Sequence, residues 1–457
     1  MTTTTRLRLR YAISDYLLLN LGWCIFNLVR YRSLPVDWPG TTDFMLSGTV
    51  LLGQLLVPLL GVGLYAVSGY YNLPRYKSRV DNVLNTAAVS TVAALVIYFA
   101  VLVNDDIPER LLNYQLLGIL WLLLAVPVYA GRHVITARDK RRLLAGCDIP
   151  AAIVAGCGEK AREVARRTQR RGGGSSFRVV AFAGSGEGCI SLDEAEAMVR
   201  AGEVADIIVA DEHADIPALL GRFVPLGCNV YMPADSANVL THRPRVLSVV
   251  NEPLINISAP GMSPATANLK RLSDVVVSAL AMIALAPVYG IIALAVKLDS
   301  GGPVLYRQER VGLHGRPFEI IKFRSMRPDA EHGGPQLSSD GDPRITRVGS
   351  FLRKYRLDEL PQLWNVLRGQ MSIVGPRPER PHFERLIAER APQMALLHTV
   401  RPGITSWGIV KYGYACSVDE MVERLQYDIL YVENASLGLD MRILLHTINT
   451  VITGKGI

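Results

Sequence analysis

Four long apolar stretches fill the first 130 residues, at roughly 11–30, 44–69, 82–103 and 114–130. Each approaches the ~20 residues that carry a helix across a bilayer, so the pattern predicts four transmembrane helices. Cations mark alternate connections. Arg6, Arg8 and Arg10 precede the first stretch, Arg75, Lys77 and Arg79 separate the second from the third, and Arg132, Arg138, Lys140, Arg141 and Arg142 follow the fourth. The other two connections carry few cations, and "NDDIPER" is net acidic. The positive-inside rule then places the N-terminus and everything after the fourth helix on the cytoplasmic side. The fourth stretch is the shortest, and a buried hairpin is the alternative reading for it.

Residues 148–236 change period. "IPAAIVAGCGEKAREVARRT" reads as a strand, a glycine turn and a basic helix, and "FRVVAFAG", "VADIIVAD" and "GCNVYMP" read as further short strands. Strands alternating with helical segments predict a small parallel α/β domain. Gly156, Gly158 and Ala161 form a G-x-G-x-x-A pattern, whose glycines let backbone amides approach a pyrophosphate at a helix N-terminus. No acidic residue at the end of a clear second strand completes that fingerprint, since Glu187 lies in a glycine-rich turn. A structural or regulatory module without bound dinucleotide is the expectation.

A fifth apolar segment, "RLSDVVVSALAMIALAPVYGIIALAVKL" (271–298), is long enough to span. A full crossing would carry residues 299–457 to the other side of the membrane. Its flanks oppose that: Lys270 and Arg271 stand at one end and Lys297 at the other. Pro287 near the middle removes a helical hydrogen bond and breaks the helix. The expectation is a re-entrant helix that enters and leaves by one face, its break at Pro287.

Length and composition fit this layout. The 457 residues hold about three domains of ~150 residues, and 49% hydrophobic residues with a mean hydropathy of +0.22 place part of the apolar content in lipid. The net charge of +8 favours anionic partners such as membrane phosphates, phosphorylated small molecules or nucleic acid. Cys24, Cys147, Cys157, Cys189, Cys228 and Cys416 show no C-x-x-C pair, which argues against a zinc site or a disulfide framework and for a reducing compartment. "MTTTTRLRLR" is followed by no short apolar run with a small-residue cleavage site, so no removed signal peptide is expected.

The last 160 residues concentrate charge. Arg344, Arg347, Arg353, Lys354, Arg356, Arg368 and Arg377 surround the adjacent carboxylates Asp358 and Glu359. A solvated basic face with incidental acids is one reading. The other is a phosphoryl-transfer site, because guanidinium groups lower a carboxylate's pKa and an ionised Asp can bind Mg²⁺ or attack phosphorus. Such transfer needs cationic clamps on the phosphoryl oxygens. Gly375-Pro376-Arg377-Pro378 would fix one Arg on a stiff loop. The C-terminal "MVERLQYDILYVENASLGLDMRILLHTINTVI" has apolar residues at helical spacing, for helices that pack on the preceding domain or lie on a membrane surface.

"KFRSM" (322–326), "RITRVGSFLRKYRLDELPQLWNVLRG" (344–369), "SIVGPRPE" (372–379) and "RPGITSWGIV" (401–410) together resemble the bacterial sugar transferases, the monotopic phosphoglycosyl transferases that start exopolysaccharide and O-antigen synthesis. The four helices and α/β module ahead of them look like the long polyprenyl glycosylphosphotransferase branch. The resemblance implies transfer of a hexose 1-phosphate, glucose or galactose, from a UDP-sugar to undecaprenyl phosphate with release of UMP. It implies Asp358 as nucleophile and Mg²⁺ contact, with Mg²⁺ as cofactor, and Glu359 as a partner that orients the site or helps the lipid phosphate step. Arg353, Lys322 and Arg324 would contact phosphate, and Arg377 would sit near the nucleotide. The family's re-entrant helix often breaks at Ser-Pro, whereas this chain has Ala286-Pro287, with no hydroxyl for the freed carbonyls.

The expected architecture is thus a four-helix transmembrane bundle (1–140), a small Rossmann-like parallel α/β domain (141–267), and a mainly helical catalytic domain with a re-entrant membrane helix (268–457). The resemblance places it in the bacterial inner membrane, with the catalytic domain on the cytoplasmic face and in contact with membrane lipid. Basic flanks such as Lys270, Arg271 and Lys297 would draw it to the anionic surface. Long members of the family suggest a homodimer, although no interface signal is legible. A non-catalytic membrane scaffold or nucleotide-sensing regulator of polysaccharide assembly is the alternative function. Nucleic acid is not expected as a partner, because no aromatic-interleaved reading motif occurs.

Overall fold

The computed structural model describes residues 3–33, 40–72, 79–104, 110–145, 147, 149–169, 177–211, 214–234, 254–328, 330 and 342–454. Arg75, Lys77 and most of the "NDDIPER" loop lie outside them. The chain divides into two compact units, residues 1–149 with 264–269, and residues 150–263 with 270–457. The α/β and C-terminal parts fall within the second unit together, and the boundary read at 267/268 lies inside the helix Pro264–Ala284.

In the first unit, α1 (Thr3–Tyr31), a short α2 (Thr41–Met45), α3 (Gly48–Val67), α4 (Arg79–Ala100) and α5 (Arg110–Leu144) follow in order. Among the described residues α1, α3, α4 and α5 are long and apolar enough to cross a membrane. Their inner faces bury Tyr11, Trp23, Phe26, Tyr65, Ile97, Leu120 and Val128, while Leu17, Leu55, Val92 and Leu122 point outward. Apolar surface of that extent requires lipid as solvent. The shortest apolar stretch becomes the longest described helix, with 35 residues in α5. Its basic tail is rich in Arg, Leu and Ala, which continue a helix readily, and the hairpin alternative falls.

Arg132 does not mark a loop. It is fully buried in this unit, where its Nε and Nη2 donate to Asp15 (3.1 and 2.6 Å) and its Nη1 to Thr86 (2.9 Å). Tyr71 also donates to Asp15, and the guanidinium lies 3.7 Å from the Tyr65 ring and 3.6 Å from the Tyr70 ring. A buried pair persists only when so fully partnered. The charge count for orientation at this end of the bundle therefore rests on Arg138, Lys140, Arg141 and Arg142, in the last turns of α5.

The second unit opens with a mixed sheet. Strands β1 (Ala151–Ala155), β2 (Arg178–Ala183), β3 (Asp206–Val209), β4 (Asn229–Pro233) and β5 (Leu254–Asn256) lie in the order β2-β1-β3-β4-β5. The first four are parallel, with α6 (Glu159–Gln169), α7 (Leu192–Arg200) and α8 (Ile216–Phe223) between them. The wholly parallel expectation needs correction at one edge, where β5 runs antiparallel to β4. An antiparallel edge on a parallel sheet is common, since only the central strands need helices on both faces. The cysteine expectation also fails at one place. Cys157, between the two glycines after β1, is joined in a disulfide to Cys189, 32 residues on, because the loops that follow β1 and β2 meet there.

Two helices then form a bent pair, α9 (Pro264–Ala284) and α10 (Ala286–Asp299), at 64° to one another. Pro287 sits in the first turn of α10, where its missing N–H has no helical acceptor to lose. Leu280, Ile283, Ile291 and Leu294 are exposed along the two arms. The cations at the head of α9 are spent inside the protein. Lys270 pairs with Asp440 at 2.5 Å, and Arg271 donates to the carbonyls of Val366 and Leu367. Lys270 and Arg271 are therefore not available to the membrane surface.

A hairpin of β6 (Leu305–Val311) and β7 (Pro317–Phe323) follows, then α11 (Arg347–Lys354), α12 (Gln362–Leu367), β8 (Ser372–Val374), α13 (Pro381–Arg390), β9 (Gly403–Thr405), α14 (Trp407–Lys411), α15 (Val418–Asn434) and α16 (Leu437–Thr453). The last two helices pack through Leu425, Tyr431, Val432 and Ile443 onto Val374, Phe383 and Met394. On its other side α16 exposes Leu437, Met441, Leu445, Ile448 and Ile452.

Candidate active site

Helix α11 is capped by Thr346, whose hydroxyl accepts from the Gly349 N–H, and it ends at Lys354. The chain then reverses at Arg356, whose φ of 54° puts a non-glycine residue in the left-handed region. That conformation costs about 1–2 kcal/mol and needs outside support. A 3-10 turn, Leu357–Glu359, follows, and Pro361 starts the chain into α12. Leu357 and Leu360 pack against Ile292, Val296, Phe323 and Leu352, which leaves Asp358 and Glu359 pointing elsewhere, 8% and 7% exposed.

Glu359 is fully committed. Lys322 donates to its Oε1 at 3.1 Å and Arg356 to its Oε2 at 2.8 Å, so the ion pair also supports the strained residue. Among the described residues nothing donates to the Asp358 carboxylate. Lys322 reaches the site because β7 alternates: Phe318 and Ile320 are buried on the same face, and Lys322 is the next residue in that row.

The Pro-Arg-Pro loop is held by close backbone approach. Gly403 donates to the Pro376 carbonyl at 2.9 Å and Gly375 to Thr405 at 3.1 Å. A Cβ on Gly403 would lie 2.1 Å from the Gly375 nitrogen, so the "SIVGPRP" and "RPGIT" segments both require glycine. Asp428 accepts from the backbone N–H groups of Gly408 and Arg377. This sets the Arg377 guanidinium 5.3 Å from the Tyr414 ring, with Arg356 5.8 Å from the same ring. A cleft lined by Arg310, Lys322, Glu359, Gln362, Arg377 and Pro378 results.

Residues 265–454 match the family of bacterial sugar transferases. The exopolysaccharide production protein PSS of Rhizobium leguminosarum bv. phaseoli is 41% identical over 196 residues, which cover 41% of this chain and 98% of that protein. The chain belongs to the bacterial sugar transferase family. A UDP-N-acetylgalactosamine-undecaprenyl-phosphate N-acetylgalactosaminephosphotransferase of Aeromonas hydrophila is 44% identical over 194 residues, 42% of this chain and 46% of the relative. A UDP-glucose:undecaprenyl-phosphate glucose-1-phosphate transferase of Escherichia coli K12 is 34% identical over 256 residues, 54% of this chain and 55% of the relative. The chain thus spans about half the length of these two relatives in the matched region.

For this family member, the electrostatics of the site divide the carboxylate pair. Burial pushes Asp358 up to about 6, and Glu359 beside it adds to the rise, against the pull of Lys322 and Arg353. Burial also opposes ionisation of Glu359, but Arg356 and Lys322 outweigh it and hold Glu359 well below the usual range. The expectation that surrounding cations lower the Asp358 pKa is therefore corrected by its burial. Environments that separate two carboxylates in this way prepare them for different work. Lys322 is lowered by burial, with Arg377 and Arg310 contributing.

Of the residues singled out in the sequence, the structure brings Glu359, Lys322 and Arg377 to one cleft, and Lys322 and Arg353 are close enough to act on Asp358, which stands beside Glu359 but not among the cleft's lining residues. Arg324 is anchored through one nitrogen: its Nη2 donates to the Ser300 carbonyl and hydroxyl, which ties down the loop after α10, while its Nε and Nη1 are buried without a partner among the described residues. Arg310, Gln362 and Tyr414 escaped the sequence reading, which counted Arg356 among the surrounding cations but gave it no role. Arg310 had a signal, since it lies in β6 opposite Phe318 and so shares a face with Lys322. Among the described residues, the Arg353 Nη1, Gln362 Nε2 and Arg310 Nε atoms are buried without a partner. Buried donors left unpaired are costly, and an anion would satisfy them.

Proposed function

We propose that this protein transfers a hexose 1-phosphate from a UDP-sugar to undecaprenyl phosphate and releases UMP, as the first step of exopolysaccharide or O-antigen synthesis. The observation that carries this reading is the division within the carboxylate pair: Glu359 spends both oxygens on cations, and Asp358 spends neither. A carboxylate held free beside Lys322, Arg353 and Arg356 has the chemistry of an oxygen nucleophile toward phosphorus.

In the first step an Asp358 oxygen bonds to the sugar-linked phosphorus, the bridging P–O bond breaks, and its electron pair leaves on UMP. In the second, an oxygen of undecaprenyl phosphate bonds to that phosphorus, the aspartyl–phosphorus bond breaks, and the Asp358 carboxylate is restored. Lys322, Arg353 and Arg377 balance charge on the phosphoryl oxygens, and Glu359 fixes Lys322 and Arg356 in place. The sugar is glucose or galactose in this proposal, and the Aeromonas relative's name adds N-acetylgalactosamine as a donor to try.

Mg²⁺ is the proposed cofactor, and the donor set fits it. The ion commonly uses one or two carboxylates and leaves its other positions to phosphate and water. Asp358, whose oxygens accept no hydrogen bond from the described residues, is the proposed protein ligand. The bound ion would neutralise charge on the phosphate oxygens.

The bent pair α9–α10 is proposed to be re-entrant at Pro287, entering and leaving through the cytoplasmic leaflet of the bacterial inner membrane. Its 64° bend and exposed apolar arms support that reading. The active site then faces the cytoplasm where a soluble donor and a lipid-bound phosphate meet. A homodimer is retained from the family resemblance.

The test is UMP release by the protein in lipid nanodiscs with Mg²⁺ and undecaprenyl phosphate, using UDP-glucose, UDP-galactose and UDP-N-acetylgalactosamine in parallel. Release with one donor, abolished by Asp358→Asn, is expected. Full release by the variant would remove Asp358 from the chemistry, and no release from any donor by folded protein would favour a non-catalytic scaffold.

A further inference from the structure

One side chain joins the bent helix pair to the carboxylate turn. Tyr289, in the first turns of α10, donates its hydroxyl to the carbonyl of Leu360 at 2.7 Å. Leu360 directly follows Glu359. The Tyr289 ring packs against Phe323 with 5.6 Å between centroids, and Phe323 directly follows Lys322, the cation on Glu359. Tyr289 thus touches the residue that follows each member of that ion pair, the backbone of Leu360 and the ring of Phe323.

Its surroundings make the hydroxyl informative. The ring belongs to the apolar cluster built on Ile292, Val296, Phe323 and Leu352, and a phenylalanine would keep that packing. The Leu360 carbonyl already accepts from the Leu363 N–H at 3.1 Å, so the turn has its local hydrogen bond without Tyr289. The extra bond restrains where the turn sits relative to α10. Arg356 is left-handed at the start of the same turn, and a strained backbone keeps one geometry only while its surroundings over-determine it. Two restraints do so here: Arg356 on Glu359 at one end and Tyr289 on Leu360 at the other.

We infer that Tyr289 is a positioning residue for Asp358, fixing the turn that carries the nucleophile to the membrane-inserted helix. The inference rests on the transfer reaction proposed above. Loss of the hydroxyl leaves the substrate-holding cations in place but loosens Asp358, and a small misplacement of a reacting atom lowers rate more than affinity.

The experiment compares Tyr289→Phe with the parent and with Asp358→Asn, as full-length chains in nanodiscs, by steady-state UMP release against UDP-sugar and undecaprenyl phosphate, with the thermal midpoint measured alongside. Tyr289→Phe is expected to lower kcat about tenfold, to leave both KM values within about twofold, and to leave the midpoint unchanged. An unchanged kcat in Tyr289→Phe, with Asp358→Asn inactive, overturns the positioning role alone. A raised KM at constant kcat, or a fall in kcat matched by a fall in thermal midpoint, also overturns it, by assigning Tyr289 to binding or to folding. Turnover by Asp358→Asn would instead overturn the reaction assignment itself.

Discussion

Asp358 and Glu359 are neighbours in the chain, yet neutralising them should move stability in opposite directions. Asp358 has a folded-state pKa raised from 3.8 to about 6. Between those values the native protein holds a proton that the unfolded chain has released, so stability is lost as pH rises from about 4 to 6 and the full cost is present above that. The interval corresponds to about 3 kcal/mol. Asp358→Asn removes this cost. At pH 7.5 the variant should be more stable than the parent, with a thermal midpoint higher by about 3–6 °C, and the gain should vanish by about pH 4. Glu359 lies well below its usual pKa, so its contribution is present above about 4.5 and lost as pH falls. Glu359→Gln would strand Arg356 and Lys322, which are 8% and 18% exposed at the side chain, at a cost of about 3–5 kcal/mol. Thermal unfolding of the three proteins in nanodiscs from pH 4.5 to 8 checks this. A less stable Asp358→Asn at pH 7.5, or shifts of the same sign in both variants, would refute the argument.

If Asp358 is the proposed nucleophile, turnover should fall as pH drops through about 6, where its carboxylate takes up a proton and loses its charge, and kcat/KM profiles from pH 5 to 8 would show that limb. Gly403→Ala forces a methyl group against the Gly375 nitrogen and should shift the Arg377 loop, with UMP release down at least about a hundredfold. A modest change there would mean that the loop adapts. Single cysteines placed at positions 268 and 300 should react with an impermeant maleimide from the same side of a sealed vesicle if α9–α10 is re-entrant. Labelling from opposite sides would make the pair a spanning segment.

Much of this architecture could be read in one dimension. Bilayer thickness selects apolar length directly, so α1, α3, α4 and α5 were visible as stretches, and strand-helix alternation announced the α/β sheet. Asp358, Glu359, Lys322 and Arg377 stood out because several motifs carried them in one order. What stayed hidden depended on partners distant in sequence. Lys270 looks like a surface cation until Asp440, 170 residues away, pairs with it, and Arg132 looks like a loop marker until Asp15 covers it. Arg324 sits in the same short motif as Lys322 but points to Ser300. Cys157 and Cys189 meet only because β1 and β2 are neighbours in the sheet. The left-handed backbone at Arg356 stayed hidden because no propensity rule places an arginine there.

The contact between Gly375 and Gly403 bears on how family members can be recombined. Each segment supplies the surface on which the other lies, with hydrogen bonds passing both ways between them. Exchanging either segment alone with a relative would pair two backbones that were not fitted to each other, even if every side chain in the cleft were preserved. A chimera built to alter donor choice should therefore cut outside residues 372–405 and move that block whole. Crossovers within it should yield proteins that insert normally but lose the cleft that Arg377 lines.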